Sequence, residues 1–236
     1  MEDKKVDIEI TEKLGFGMLL ASAGGLMDAY SYTVRGKVFA TGQTRNFVLA
    51  AAQLVEKNYI GFFHALVPIV SFWAGIFAAW HIFYFFCKEK QLAWKRGILV
   101  FSILILFITG FIPLSYSNVI ADSLVAFAAS LQYCAFRKLG TSENYANIFC
   151  SGNMRSCADN YYKGIVRKDK EALRRAYRYS CILLSFFLGA GIGAIEAGLF
   201  HEKTIWTAVI VLSSALAISY VSDVNAHKNA VLTSKA

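Results

Sequence analysis

Residues able to bind or react fall at a few points of an otherwise apolar chain. Asp28 lies within Gly24-Gly25-Leu26-Met27-Asp28-Ala29-Tyr30. A carboxylate in such a run is costly unless it is paired or faces a cavity, so a working role is its default reading. Gln43-Thr44-Arg45-Asn46 and Ser151-Gly152-Asn153 each crowd amide and hydroxyl groups into a short stretch, and Gln132 adds an isolated amide. Groups of this kind hold a polar solute by hydrogen bonds. They do not make a set of acid, base and nucleophile, and the chain has no HExxH, GxSxG or clustered carboxylates. Arg45 keeps its proton at any ordinary pH, so it needs an acid, water or an anionic ligand beside it. Asp28, the acid of the preceding apolar run, is its expected partner.

The remaining candidates read as structural. Asp122 stands where a helix starts, and Glu196 is one turn from Phe200-His201, close enough to the end of its run to reach water. His64 and His81 are separated by about 25 Å along one helix and cannot share a metal. Cys87, Cys134, Cys150, Cys157 and Cys181 have no zinc-ligand spacing and read as reduced structural thiols. No metal or cofactor is expected.

The elements that must position these groups are long and uncharged. No Lys, Arg, Asp or Glu occurs from Tyr59 to Cys87 or from Gly97 to Ala121. Apolar runs beyond about 18 residues are the mark of membrane-crossing helices. Six spans are expected, near Leu14–Val34, Ile60–Phe86, Gly97–Phe111, Val119–Phe136, Tyr179–Phe200 and Ile205–Val221. The third and fourth come from one stretch of about 40 residues, which as a single helix would reach about 60 Å, twice the bilayer core. Pro113-Leu114-Ser115-Tyr116-Ser117-Asn118 supplies the turn it needs. Ala21-Ser22-Ala23 resembles a cleavage site, but the acidic tail before it and the short Leu14–Leu20 run argue against a signal peptide.

Sidedness follows from the basic residues. The N-terminal tail, the 88–96 loop, the 137–178 loop and the C-terminal tail hold 19 Lys and Arg, against 5 on the other side. Basic residues are retained in the cytoplasm, so both termini are expected inside. The same bias accounts for the net charge of +8 without nucleic acid as a partner. Within the 137–178 loop, the basic run 167–178 reads as a helix resting on anionic lipid head groups.

A repeat lies behind this order. Residues 36–49 follow one span and precede two more, and residues 147–156 do the same. Two registers are open: Thr41-Gly42 paired with Ser151-Gly152, or Thr44-Arg45-Asn46 paired with Ser151-Gly152-Asn153. Three spans per unit turn the second unit upside down, so the polar elements approach from opposite faces. That is the arrangement of many secondary transporters, the plainer alternative being two loops at the membrane surface.

Gly24-Gly25-Leu26-Met27-Asp28-Ala29-Tyr30, Val38-Phe39-Ala40 and Gln43-Thr44-Arg45-Asn46, with Gln132, Phe136-Arg137-Lys138-Leu139 and Ser151-Gly152-Asn153-Met154-Arg155-Ser156 in the second half, resemble the YoaK-type family of small bacterial multi-pass membrane proteins. The resemblance covers essentially the whole chain and favours the second register. It implies a fold and a location but no established activity. Arg45 stands where that family has glycine, and Ser151 where it usually has threonine. The expectation is therefore an all-α integral membrane protein forming a single domain over 1–236. It consists of two inverted three-helix repeats, about 14–116 and 117–222, each with a polar re-entrant or interfacial element, and of tails 1–13 and 223–236. The expected activity is passage of a small solute by a permease or channel. A membrane-embedded enzyme and a regulatory or scaffold subunit are the alternatives, and oligomeric state is not legible.

Overall fold

A computed structural model describes residues 8–87, 91–140 and 143–233. The chain is almost wholly helical. The helices are α1 (Leu14–Val34), α2 (Gln43–Val55), α3 (Tyr59–Ile82), α4 (Gln91–Thr109), α5 (Asn118–Ala135), α6 (Ser151–Val166), α7 (Lys170–Phe200) and α8 (Ile205–Thr233). One small antiparallel hairpin, β1 (Lys138–Leu139) with β2 (Glu143–Asn144), pairs Lys138 with Asn144 and Leu139 with Glu143.

Among the described residues, three stretches are long and apolar enough to cross a membrane: Tyr59–Phe85, Gln91–Thr109 and Lys170–Val224. The last contains both α7 and α8, joined by a short 3-10 turn at His201–Thr204. These dimensions suit a membrane protein. α1 and α5 are less apolar for a physical reason. They form the centre of the bundle, where Ala21, Ala23, Ala126, Ala128 and Ala129 are buried together with Asp28 and Gln132. A helix surrounded by protein can carry small and polar residues, whereas α3, α4, α7 and α8 present Phe77, Phe101, Leu104, Phe187, Ile195 and Ile210 outward.

The packing has a regular plan. α1 lies against α7 and α8, while α5 lies against α3 and α4. α2 packs on α3, α6 packs on α7, and α4 meets α8. Exchanging each helix for the one four places along maps these pairs onto one another and the α4–α8 pair onto itself. Glycines set the closest approaches. A Cβ on Gly189 would lie 2.1 Å from the Ser22 carbonyl of α1, and one on Gly75 would lie 2.7 Å from the Phe127 carbonyl of α5. Gly193, one turn further along α7, sits against Ala29 and Leu26.

Several expectations need correction. Residues 91–96 are the first turns of α4, with Lys95 buried and held by Glu9 and Glu12 at 2.8 and 3.4 Å. The 137–178 loop is structured throughout most of its length by the hairpin and α6. Its basic run does not lie apart as a separate helix, because Lys170–Arg178 opens α7 and continues straight into the apolar part. Asp122 stands one turn into α5, and it is buried there with one oxygen unpartnered. Glu196 likewise keeps one carboxylate oxygen buried and unpartnered. Of the expected inner tails and loops, 1–7, 88–90, 141–142 and 234–236 lie outside the described residues, as does the side chain of Cys87.

Candidate functional site

The chain leaving α1 turns back along it. Gly36 and Lys37 have positive φ (111° and 68°), which reverses direction at the helix end. Ala40 N–H then donates to Ser31 Oγ at 3.1 Å, and Thr41 N–H donates to Asp28 Oδ1 at 3.1 Å. Asp28 lies six residues before the end of α1, so this descent covers about 9 Å. α2 begins at its lower end, at Gln43.

Residues 146–150 approach from the other end of the bundle. A Cβ on Gly24 would meet the Asn147 carbonyl at 2.7 Å and Ile148 Cα at 3.3 Å, so the absence of a side chain at Gly24 lets this segment touch α1. Gly24 is ten residues into α1, about 15 Å from its start. The two segments meet where the Thr41 hydroxyl donates to the Ile148 carbonyl at 3.2 Å.

Each segment is held by one asparagine reaching back seven residues. Asn46 Nδ2 donates to the Phe39 carbonyl at 3.1 Å and to Gln43 Oε1 at 3.0 Å. Asn153 Nδ2 donates to the Ala146 carbonyl at 2.7 Å and to the Phe149 carbonyl at 3.0 Å, while its oxygen accepts Ala146 N–H at 3.0 Å. Gln43 Nε2 adds a bond to the Ala40 carbonyl at 2.7 Å. Matching Asn46 to Asn153 aligns Thr44 with Ser151 and Arg45 with Gly152.

Two cavities flank the meeting point. One, of about 310 Å³, is lined by Asp28, Thr44, Arg45, Cys150, Ser151 and Phe186, among others. The second, of about 450 Å³, is lined by Gln43, Thr44, Trp73, Tyr133, Ser151 and Gly152, among others. Of the residues picked from the sequence, Asp28, Gln43, Thr44, Arg45, Ser151 and Gly152 therefore reach a cavity wall. Asn46 and Asn153 instead hold the backbone that shapes it. Gln132 is fully buried beside Tyr133 with both side-chain polar atoms unpartnered, as are those of Asn147.

The expected Arg45–Asp28 ion pair is not formed. Both residues line the smaller cavity, but the Arg45 guanidinium lies over the rings of Phe39 and Tyr32, 4.9 and 5.4 Å from their centroids. Cation–π contact supplies the stabilisation that a carboxylate would have given. Arg45 is also helical, so the loss of glycine's conformational freedom costs nothing there. Cys150 proves to be a wall residue of the same cavity, not part of an inner loop.

Arg35 was missed. It is fully buried, donating to Tyr30 Oη at 2.6 Å and to the carbonyls of Ile112 and Pro113 at 2.5 and 3.4 Å. It thereby ties the end of α1 to the turn before α5. An arginine just past an apolar run gives the same sequence signal as a solvated interfacial charge, so nothing in the pattern set it apart.

A family model described as "Protein of unknown function (DUF1275)" matches residues 16–218. The chain belongs to the DUF1275 family. No curated protein matches it, and no solved structure does. The DUF1275 match begins inside α1 and ends inside α8, so both polar segments and both cavities lie within it.

Proposed function

We propose that the chain is a permease or channel for a small polar solute, set in a bacterial cell membrane with α1, α3, α4, α5, α7 and α8 as its six spans. Both termini are inside, on the 19-to-5 distribution of basic residues. Within DUF1275, its motifs are those of YoaK-type members. The observation that carries the reading is the junction at Thr41 and Ile148, where two polar segments from opposite ends of the bundle meet between two cavities. Helix pairs that interchange four by four and matching asparagine clamps support two inverted repeats. α2 and α6 both start at the junction, and helix starts carry unpaired backbone N–H groups suited to polar ligands. Broken helices at a repeat interface are a common transporter device. Asp28, Gln43, Thr44, Arg45, Ser151 and Gly152 are the proposed solute contacts, with Gln132 behind them and Asn46 and Asn153 shaping the site.

Anionic lipid head groups are the proposed partners of α6 and the start of α7. Exposed Arg155, Lys163, Arg167, Lys168 and Arg174 adjoin exposed Tyr162, Ile165 and Val166, a combination suited to a charged lipid surface.

Uptake by the purified protein in liposomes, screened across solute classes, tests the transport reading. A Cβ at Gly152 would enter open space, so Gly152→Trp fills the larger cavity without displacing backbone. Saturable uptake is expected for one class, reduced about tenfold or more by Gly152→Trp, a barrier increase of roughly 1.4 kcal/mol. Folded protein that moves no solute would contradict it.

A further inference from the structure

The Thr41 hydroxyl has one hydrogen and two oxygen neighbours. It donates to the Ile148 carbonyl at 3.2 Å, and it also faces the Asp28 carboxyl, which already accepts Thr41 N–H. Asp28 is 9% exposed and makes no ion pair among the described residues, yet it opens onto a cavity that reaches Thr44, Cys150 and Ser151. A cavity of about 310 Å³ has room for water beside the carboxyl.

The groups around Asp28 leave the role of proton site to it. From α2, Arg45 shares the cavity wall but is engaged with Phe39 and Tyr32. From the start of α6, the Cys150 thiol is near enough to feel the Asp28 charge. From α7 the cavity receives Phe186, and Glu196 lies farther along that helix. α8 turns Ile205, Ala208 and Leu212 inward, and α5 contributes the neutral amide of Gln132, its Asp122 lying near Arg35.

We propose that Asp28 is a proton-binding site whose protonation decides whether Thr41 ties the two polar segments together. When a proton from cavity water forms an O–H bond on the carboxyl, that O–H donates to Thr41 Oγ, and the threonine's own hydrogen rests on the Ile148 carbonyl, as in the structure. When the proton returns to water, the carboxylate becomes the stronger acceptor and draws the Thr41 hydrogen to itself. The Ile148 carbonyl then loses its donor, and the segments lose their direct tie. No redox partner or other reactant is required.

The proposal rests on the junction being the working site, but its test does not depend on finding a solute. Infrared difference spectra of the protein in nanodiscs, taken between acidic and alkaline pH, report protonated carboxyl groups directly. The expected result is a carboxyl C=O band that fades as pH rises, is lost in Asp28→Asn, and changes both frequency and titration midpoint in Thr41→Val. Asp28→Glu, which keeps the acid, should retain a shifted band and guards against an Asp28→Asn variant that does not fold. A wild-type band unchanged in Asp28→Asn and in Asp28→Glu would overturn the site, as would a wild-type spectrum with no such band. A band untouched by Thr41→Val would overturn the hydroxyl's part. A lack of uptake in liposomes would count against the permease and leave these spectra to decide the proton site.

Discussion

Asn46 and Asn153 give the residue scale its clearest prediction. Each holds a polar backbone segment by the same seven-residue reach, but Asn153 makes three hydrogen bonds and Asn46 donates two, with its own oxygen unpartnered. Leaving buried backbone groups without partners costs about 1–3 kcal/mol each. Asn153→Ala is therefore expected to lower the thermal midpoint in detergent more than Asn46→Ala, by a margin of about 1–2 kcal/mol. Equal losses would mean that the two clamps are not loaded as the geometry indicates. Asp28 could be picked from the sequence because a lone carboxylate among alanine, glycine and leucine has few cheap explanations. Arg45 and Asp28 line one cavity, but the contacts of the guanidinium are with the rings of Tyr32 and Phe39. Those aromatics approach Arg45 only after the chain folds back, a contact that spacing does not reveal.

At the scale of elements, helix contacts and caps set the expectations. A Cβ at Gly189 collides with backbone of α1, whereas one at Gly191 meets nothing within 4 Å. Gly189→Ala should destabilise by about 1–3 kcal/mol through overpacking. Gly191→Ala should stay within about 0.5 kcal/mol, and the pair compared by thermal unfolding tests the α1–α7 contact. Asp169 caps α7: hydrogen bonds from Ala172 N–H and then Glu171 N–H, with Arg175 nearby, hold its carboxyl below the ordinary carboxylate range. Its contribution to the helix start is thus present above the unfolded carboxylate range and is lost as pH falls through the depressed value. Hydrogen exchange at the first turn of α7 should quicken, relative to intrinsic rates, as the solution is acidified through that range. In Asp169→Ala it should already be fast at neutral pH and show little further change. All six expected spans begin or end within two residues of a helix at one end or both, because long uncharged runs leave little choice. The hairpin at 138–144 was not legible, since two-residue strands have no period to read. The basic run 167–178 was misplaced for a different reason: its charge was visible, but its continuity with the apolar part of α7 was not.

At the scale of the whole molecule, the account stands on two halves that share one junction. The sequence left two registers open for the polar elements, the family resemblance favoured the one that pairs Asn46 with Asn153, and the matching asparagine clamps agree with that one. The depth of the polar segments was not legible, because Gly24 yields to Asn147 and Thr41 reaches Ile148 across more than a hundred residues of sequence. The central claim is that these halves are inserted in opposite senses. Reporter fusions in intact cells test it most directly, placed after Ser117 in the turn before α5, after Arg167 between α6 and α7, and after Lys203 between α7 and α8. The account predicts external reporters at Ser117 and Lys203 and an internal one at Arg167. An internal reporter at Ser117 would contradict it, since the two polar segments would then no longer enter from opposite faces.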